Sequence, residues 1–173
     1  SDPEWRRALM DYNTLFYGIH LNSTASAYTR DRDNYMFMCV QWIMEEEARR
    51  GNTKIMLSAH NGHIGKAKVN VYKTLGMYLD EEYGEKYYAL GTDFYKGSVN
   101  QPGAGENGRV INYYYTSNPI AANMKNSTLE QGFIDFESLP KDEKLYRITH
   151  KRMHQGSMSE AYSPLMYVIP KTY

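Results

Sequence analysis

The densest chemistry in this chain lies in eight consecutive residues, Ala59-His60-Asn61-Gly62-His63-Ile64-Gly65-Lys66. Imidazole exchanges protons near neutral pH, and either ring nitrogen can donate or accept a hydrogen bond. His60 and His63 are therefore the candidate catalytic groups. Asn61 and Lys66 are the neighbours best equipped to hold a polar substrate, and Arg32 is a further cation upstream. Gly62 and Gly65 let the backbone turn sharply and come close to a ligand. Each residue also has a plainer reading. A histidine at a strand end often only bonds backbone, and an Arg32-Asp33 pair at a helix start reads equally as a structural ion pair. As metal ligands, His60 and His63 would need a third partner, for which Asp93, His150 and His154 are the choices. Gly62-x-x-Gly65-Lys66 lacks the spacing of a phosphate-binding loop.

Position decides between these readings, so the elements around the motif matter. Lys54-Ile55-Met56-Leu57-Ser58-Ala59 is a short apolar run without clear alternation, which predicts a strand covered on both faces, as in a parallel sheet. A helical pattern follows from about Ala67 to Tyr83 through Val71, Leu75, Tyr78 and Leu79, and Gly84 stops it. Tyr87-Tyr88-Ala89-Leu90-Gly91 then reads as a second strand. Strand, helix and strand make a right-handed βαβ unit, and ligands in such sheets sit beyond the carboxyl ends of the strands.

Two helices precede this unit. Asp2 caps the first and Pro3 suits its opening position, with Trp5, Leu9, Tyr12, Phe16 and Ile19 as its apolar stripe. A loop is expected over Asn22-Ser23-Thr24-Ala25-Ser26. The second helix is expected from about Asp33 to Arg49, with Tyr35, Met36, Cys39, Trp42 and Ile43 on its apolar side, Glu45-Glu46-Glu47 on a solvated face and Gly51 ending it. Beyond the βαβ unit, Lys96 to Gly108 reads as an irregular loop, Val110 to Thr116 and Leu165 to Ile169 as strands, and Ile120 to Met124 and the stretch from about Lys141 as short helices. The expected organisation is a helical segment over 1–52 and an α/β portion over 53–173. Its core is a parallel, or mixed, sheet with flanking helices.

Composition narrows the function classes. The 173 residues carry 20 Lys+Arg against 20 Asp+Glu, a net charge of zero, which removes the electrostatic footprint of a nonspecific nucleic-acid binder. Mean hydropathy is −0.68, and no apolar run approaches the ~20 residues of a bilayer span. The opening Ser1-Asp2-Pro3-Glu4 is not a signal sequence, and a cytoplasmic setting is expected. The single cysteine, Cys39, excludes an internal disulfide framework and a cysteine-based zinc site. Tyrosine is abundant, 17 residues against 5 Phe and 2 Trp.

Ala59-His60-Asn61-Gly62-His63-Ile64-Gly65 resembles the AHNxHxG motif of the erythromycin esterase family, which is also described as related to succinoglycan biosynthesis proteins. Arg32-Asp33-Asn34-Tyr35-Met36 with Trp42-Ile43 is similar to that family's RDxxM…WL helix. Leu75-Gly76, Leu79, Gly84 and Tyr87-Tyr88-Ala89-Leu90-Gly91 follow its next segment, and Glu160 to Val168 is similar to its closing one. The match is strongest over about residues 30 to 99. Cys39 stands where the family usually has Asn, and the family's GE-x-[ST]-H segment, which carries its base, occurs nowhere in the chain; His20 lacks that context.

The resemblance implies a hydrolase of carboxylic esters, including erythromycin-type macrolactones, that works without a cofactor or metal. His60 and His63 correspond to a histidine pair of the site: one orients water or the leaving alkoxide and the other polarises the carbonyl. It also implies that the chain is the C-terminal portion of a larger catalytic domain. On that view its partners are a small-molecule ester and either the missing N-terminal portion or a second copy, and the isolated chain is inactive. The alternative is a noncatalytic binding or assembly module, with Tyr113-Tyr114-Tyr115 and Tyr87-Tyr88 forming a sugar- or peptide-binding face.

Overall fold

The computed structural model describes residues 2–67, 72–103, 105–116, 118–141 and 144–149, together with two short strands at 153–154 and 170–171. The chain divides into two compact units, 1–91 and 92–173.

The first unit opens with a helical hairpin. Helix α1 (Pro3–Ser23) starts as its sequence predicts: Asp2 accepts a hydrogen bond from the Glu4 N–H at 2.8 Å, and proline occupies the first turn. Helix α2 (Ala25–Arg49) follows after a single extended residue, Thr24. The expected loop at 22–26 is thus one residue long. Asn22 and Ser23 turn their side chains back onto the carbonyls of Gly18 and His20 in the last turn of α1. As a result α2 begins at Ala25 rather than near Asp33, and Arg32 lies two turns inside it.

Three contacts set the hairpin's register. Arg6 Nε bonds Glu46 at 2.8 Å, Tyr17 stacks on Tyr35 at 4.1 Å, and His20 Nε2 lies 3.0 Å from Asp31. Each pair sums to 51 or 52, the signature of antiparallel helices in constant register. Glu46, expected on a solvated face, is the inward end of one of these clips. At the closed end, hydrogen bonds first from Arg30 and then from His20 hold the Asp31 carboxyl far below the usual carboxylate range.

These contacts select a face of α1 one residue out of step with its apolar stripe. Arg6, Met10, Asn13, Tyr17 and His20 are half-buried, whereas Trp5, Leu9, Tyr12, Phe16 and Ile19 all lie exposed.

The core of the unit lies between α2 and α4. After Gly51, which takes φ +88° past the end of α2, residues 52–60 run without helix or strand to a one-turn helix α3 (Asn61–Ile64); α4 (Leu75–Tyr83) follows, and a 3-10 turn at Gly84–Lys86 closes it. Val40, Leu75 and Leu79 are buried at the centre, with Met36, Phe37, Met44, Ile55, Leu57, Tyr83 and Tyr87 packed around them. Phe37 and Tyr78 stack across the two helices at 5.3 Å. Helix α4 is shorter than the periodicity predicts: Tyr72, Lys73 and Thr74 are not helical, and Thr74 is its cap. Part of the expected helix, including Val71, falls outside the described residues.

The expected parallel sheet is not present among the described residues. Residues 54–59 and 87–91 lie in neither helix nor strand and pair with nothing in a sheet. Ile55 and Leu57 face the core while Met56 is 93% exposed, so the run alternates and only one face is covered. A both-face-buried strand would have hidden Met56 as well.

The second unit is built on an antiparallel hairpin, β1 (Lys96–Pro102) and β2 (Arg109–Tyr115), in a register pairing Lys96 with Tyr115 and Pro102 with Arg109. Residues 96–102 are therefore a strand rather than the expected loop; the irregular part is confined to 103–108, where Gly103 N–H bonds the Gly108 carbonyl at 3.0 Å. A short helix α5 (Pro119–Ala122) and a 3-10 turn (Asn123–Asn126) follow, then α6 (Lys144–Thr149). Asn118, only 1% exposed, caps α5 by accepting from the Ile120 and Ala121 N–H groups. The strands Met153–His154 (β3) and Pro170–Lys171 (β4) also pair antiparallel. The fold is therefore mixed α and β with antiparallel pairs. The strand expected at Leu165 to Ile169 lies outside the described residues.

Candidate active site

The motif sits where the run 52–60 meets α3, and its two histidines occupy different structural positions. His60 is the residue preceding the helix, with φ −65° and ψ 147°, and its Nδ1 accepts the Gly62 N–H at 3.1 Å. It is exposed. A Cβ on Gly62 would lie 3.2 Å from His60 Nδ1, close enough that the exposed ring would have to shift by a few tenths of an ångström.

His63, on the third residue of α3, turns into the junction of α2 and α4. Its Nδ1 lies 2.9 and 3.0 Å from the two carboxylate oxygens of Asp33 on α2. The same carboxylate accepts the N–H of Leu75, the first residue of α4, at 2.8 Å. One acidic side chain thus orients the imidazole and satisfies a helix terminus whose N–H has no partner within the helix. The sequence named Asp33 only as a companion of Arg32; its partners lie 30 and 42 residues away, and no local pattern announces them.

Three further tethers fix the loop that follows. Tyr87 O–H donates to the Ile64 carbonyl at 2.6 Å, and Thr74 O–H donates to the Gly65 carbonyl at 2.9 Å. Thr74 Oγ1 also accepts the Met77 N–H at 3.2 Å, capping α4. Burial first, and then the Asp80 carboxylate, raise the Tyr87 phenol above its ordinary value, which keeps its proton in place for Ile64. Finally, α4 touches the loop backbone to backbone: a Cβ on Gly76 would fall 2.2 Å from the Ile64 oxygen and 2.5 Å from the Gly65 oxygen. Only glycine fits there.

The remaining candidates divide between the two units. Asn61 Oδ1 stands 3.8 Å from where a Cβ on Gly91 would lie, at the end of the run 87–91. Lys66 Nζ is 3.2 Å from Asp80 on α4 and 5.6 Å from the centre of the Tyr87 ring. Arg32 is half-buried on α2, one residue before Asp33. His60, Asn61, His63, Lys66 and Arg32 all belong to the first unit. Asp93 belongs to the second, where the Asn118 amide donates to it at 3.2 Å. His150 and the side chain of His154 lie outside the described residues. Among the described residues, no three His, Cys, Asp or Glu side chains come together to hold a metal ion, and no helix is long and apolar enough to cross a membrane. Cys39, half-buried on α2, has its thiol raised by burial, which keeps it in the less nucleophilic protonated form.

The sequence pattern of the erythromycin esterases matches residues 6–167 of the 173. The chain belongs to the erythromycin esterase family. Membership points to a hydrolase at the level of the family, and the match spans both units, including the motif, Asp33 and Tyr87. No curated protein and no solved structure matches the chain.

Proposed function

We propose that this erythromycin esterase family member hydrolyses a carboxylic ester, cyclic or macrolide-type, by His-assisted attack of water, with His60 and His63 as its catalytic groups. The observation that carries this reading is the carboxylate of Asp33 on Nδ1 of His63, inside a motif of a matched esterase family. A carboxylate-held imidazole is oriented, which is how a third group readies an imidazole for acid–base work. In this reading Asn61, within the motif, and Arg32, next to Asp33 in sequence, bind the ester; Lys66, already engaged by Asp80, adds positive potential rather than a direct contact. Water adds to the carbonyl carbon, the carbonyl π pair moves to oxygen, and an imidazole N–H meets the oxyanion. A well-aimed donor of this kind contributes ~2.7–4 kcal/mol.

The chain contains no GE-x-[ST]-H segment, so the complete site draws on further groups from the rest of the domain, and the isolated 173 residues turn ester over slowly at best. The test is ester turnover against a panel of macrolactones and simple esters by the complete enzyme, with His60→Ala and His63→Ala beside it. Sharp losses in both, with the fold retained, are expected. Unchanged turnover in both variants removes the pair from the chemistry, and ester binding without any turnover favours a binding module.

A further inference from the structure

Helix α1 meets α2 through Arg6, Tyr17 and His20, which leaves its apolar stripe facing outward. Trp5, Leu9, Tyr12, Leu15, Phe16 and Ile19 are between 45% and 73% exposed. We propose that this face is an interface between two copies of the chain, α1 packing antiparallel on the partner's α1 about a twofold axis. The proposal stands independently of the esterase reading. The spacing names a helix as the occupant. Trp5, Leu9, Tyr12, Phe16 and Ile19 recur at intervals of four, three, four and three residues, the alternation of a coiled-coil seam. Leu15 widens that seam on the side away from α2.

The area suits a stable pair. With ~150–250 Å² per aromatic side chain, the six residues leave on the order of 700 Å² open. That is near the ~800 Å² each partner gives to a specific interface of standard size, and above the largest apolar patch of an ordinary monomer. The chemistry suits a second copy. In an antiparallel pair Leu9 faces the partner's Tyr12, Trp5 faces the partner's Phe16 and Leu15 covers the partner's Ala8, each contact made twice. The net charge of zero sets up no repulsion between copies. With α2 beside each α1, the assembly is a four-helix arrangement. A lipid surface suits the face less well, because helices that lie on membranes are rich in Lys and Arg. Helix α1 has no Lys, and sets Arg6 and Arg7 against Glu4 and Asp11; Arg6 is moreover clipped to Glu46.

Sedimentation equilibrium of the 173-residue chain tests this. At micromolar concentration the expected mass is about twice the 20.1 kDa of one chain. Tyr12→Glu and Phe16→Glu, both at exposed positions, should each weaken association more than about 100-fold, since every substitution strikes the pair twice. Circular dichroism checks that the variants fold, and Leu15→Lys decides if neither does. Met56→Glu, at an exposed apolar side chain elsewhere in the unit, should leave the mass unchanged. In a Cys39→Ser background, mixed Leu9→Cys and Tyr12→Cys chains should cross-link with each other faster than either does with itself. A wild-type chain that stays monomeric overturns the proposal. So does association that survives the seam variants, or that Met56→Glu abolishes equally. Faster self-linking of Tyr12→Cys overturns the antiparallel pairing, and a monomer that sediments with anionic vesicles gives the face to lipid instead.

Discussion

The motif loop and the β1–β2 hairpin are both short, polar and glycine-containing, yet they are held by different means. The hairpin is local: every rung of its register joins residues 7 to 19 positions apart, and Arg109 reaches across it to Asn100. The motif loop is held from outside itself. Its anchors are Asp33, Thr74, Gly76 and Tyr87, which come from α2, the start of α4 and the run after it. A hairpin of the first kind can form wherever its own sequence allows. A loop of the second kind acquires its shape only when distant parts of the unit have docked, and the proposed catalytic histidines lie in that loop.

The sharpest test of this contrast is catalytic. In the complete enzyme His63→Ala should lower ester turnover by about two to four orders of magnitude, the usual range for a lost acid–base group, while costing only the bond to Asp33 in stability, about 1–3 kcal/mol; equal turnover would separate the anchored loop from the reaction. Next in size is Gly76→Ala, which drives a methyl into the Ile64 carbonyl and should cost about 3 kcal/mol in urea unfolding, the upper end of overpacking penalties. Gly18→Ala, on α1 with nothing within 4 Å of the new Cβ, should instead stabilise by about 1 kcal/mol through helix propensity. Two substitutions of the same type with opposite signs would locate the constraint in the loop contact.

Tyr87→Phe should cost about 1 kcal/mol by deleting the bond to Ile64, and it carries a pH signature. The Tyr87 phenol is raised in the folded state above its ordinary value of 10.0. Its contribution is therefore complete below that pH and fades as pH climbs through the raised value. Wild-type stability should fall more steeply in strong alkali than that of Tyr87→Phe; identical slopes would show that the phenol does not hold the loop. The smallest effect is expected in the hairpin, where Arg109→Ala removes one exposed cross-strand contact and should change unfolding free energy by less than about 1 kcal/mol.

The same contrast explains what could be read from the sequence. Features specified by neighbours were legible: the Asp2–Pro3 start of α1, the stop of α2 before Gly51, the end of α4 at Gly84, the strand near Val110 and the motif itself. Features specified by partners were not. The apolar stripe of α1 was visible, but Arg6, Tyr17 and His20 dock α1 by the adjacent face. Lys54 to Ala59 looked doubly buried because Met56 is apolar, and apolar identity does not reveal that nothing covers it. Lys96 to Gly108 looked like a loop because it holds four glycines and Pro102; pairing with the tyrosine-rich β2 makes its first seven residues a strand all the same. Asp33 was visible as a charge and invisible as the partner of His63.

The unpaired runs on either side of the motif have a kinetic consequence. Among the described residues, 54–59 and 88–91 contribute no rung to any sheet, so their amides should exchange with solvent deuterium sooner than those of α2 and α4, whereas the Tyr87 N–H is held by the Gly84 carbonyl at 2.9 Å. The motif loop therefore keeps its shape for as long as α4 remains seated on α2.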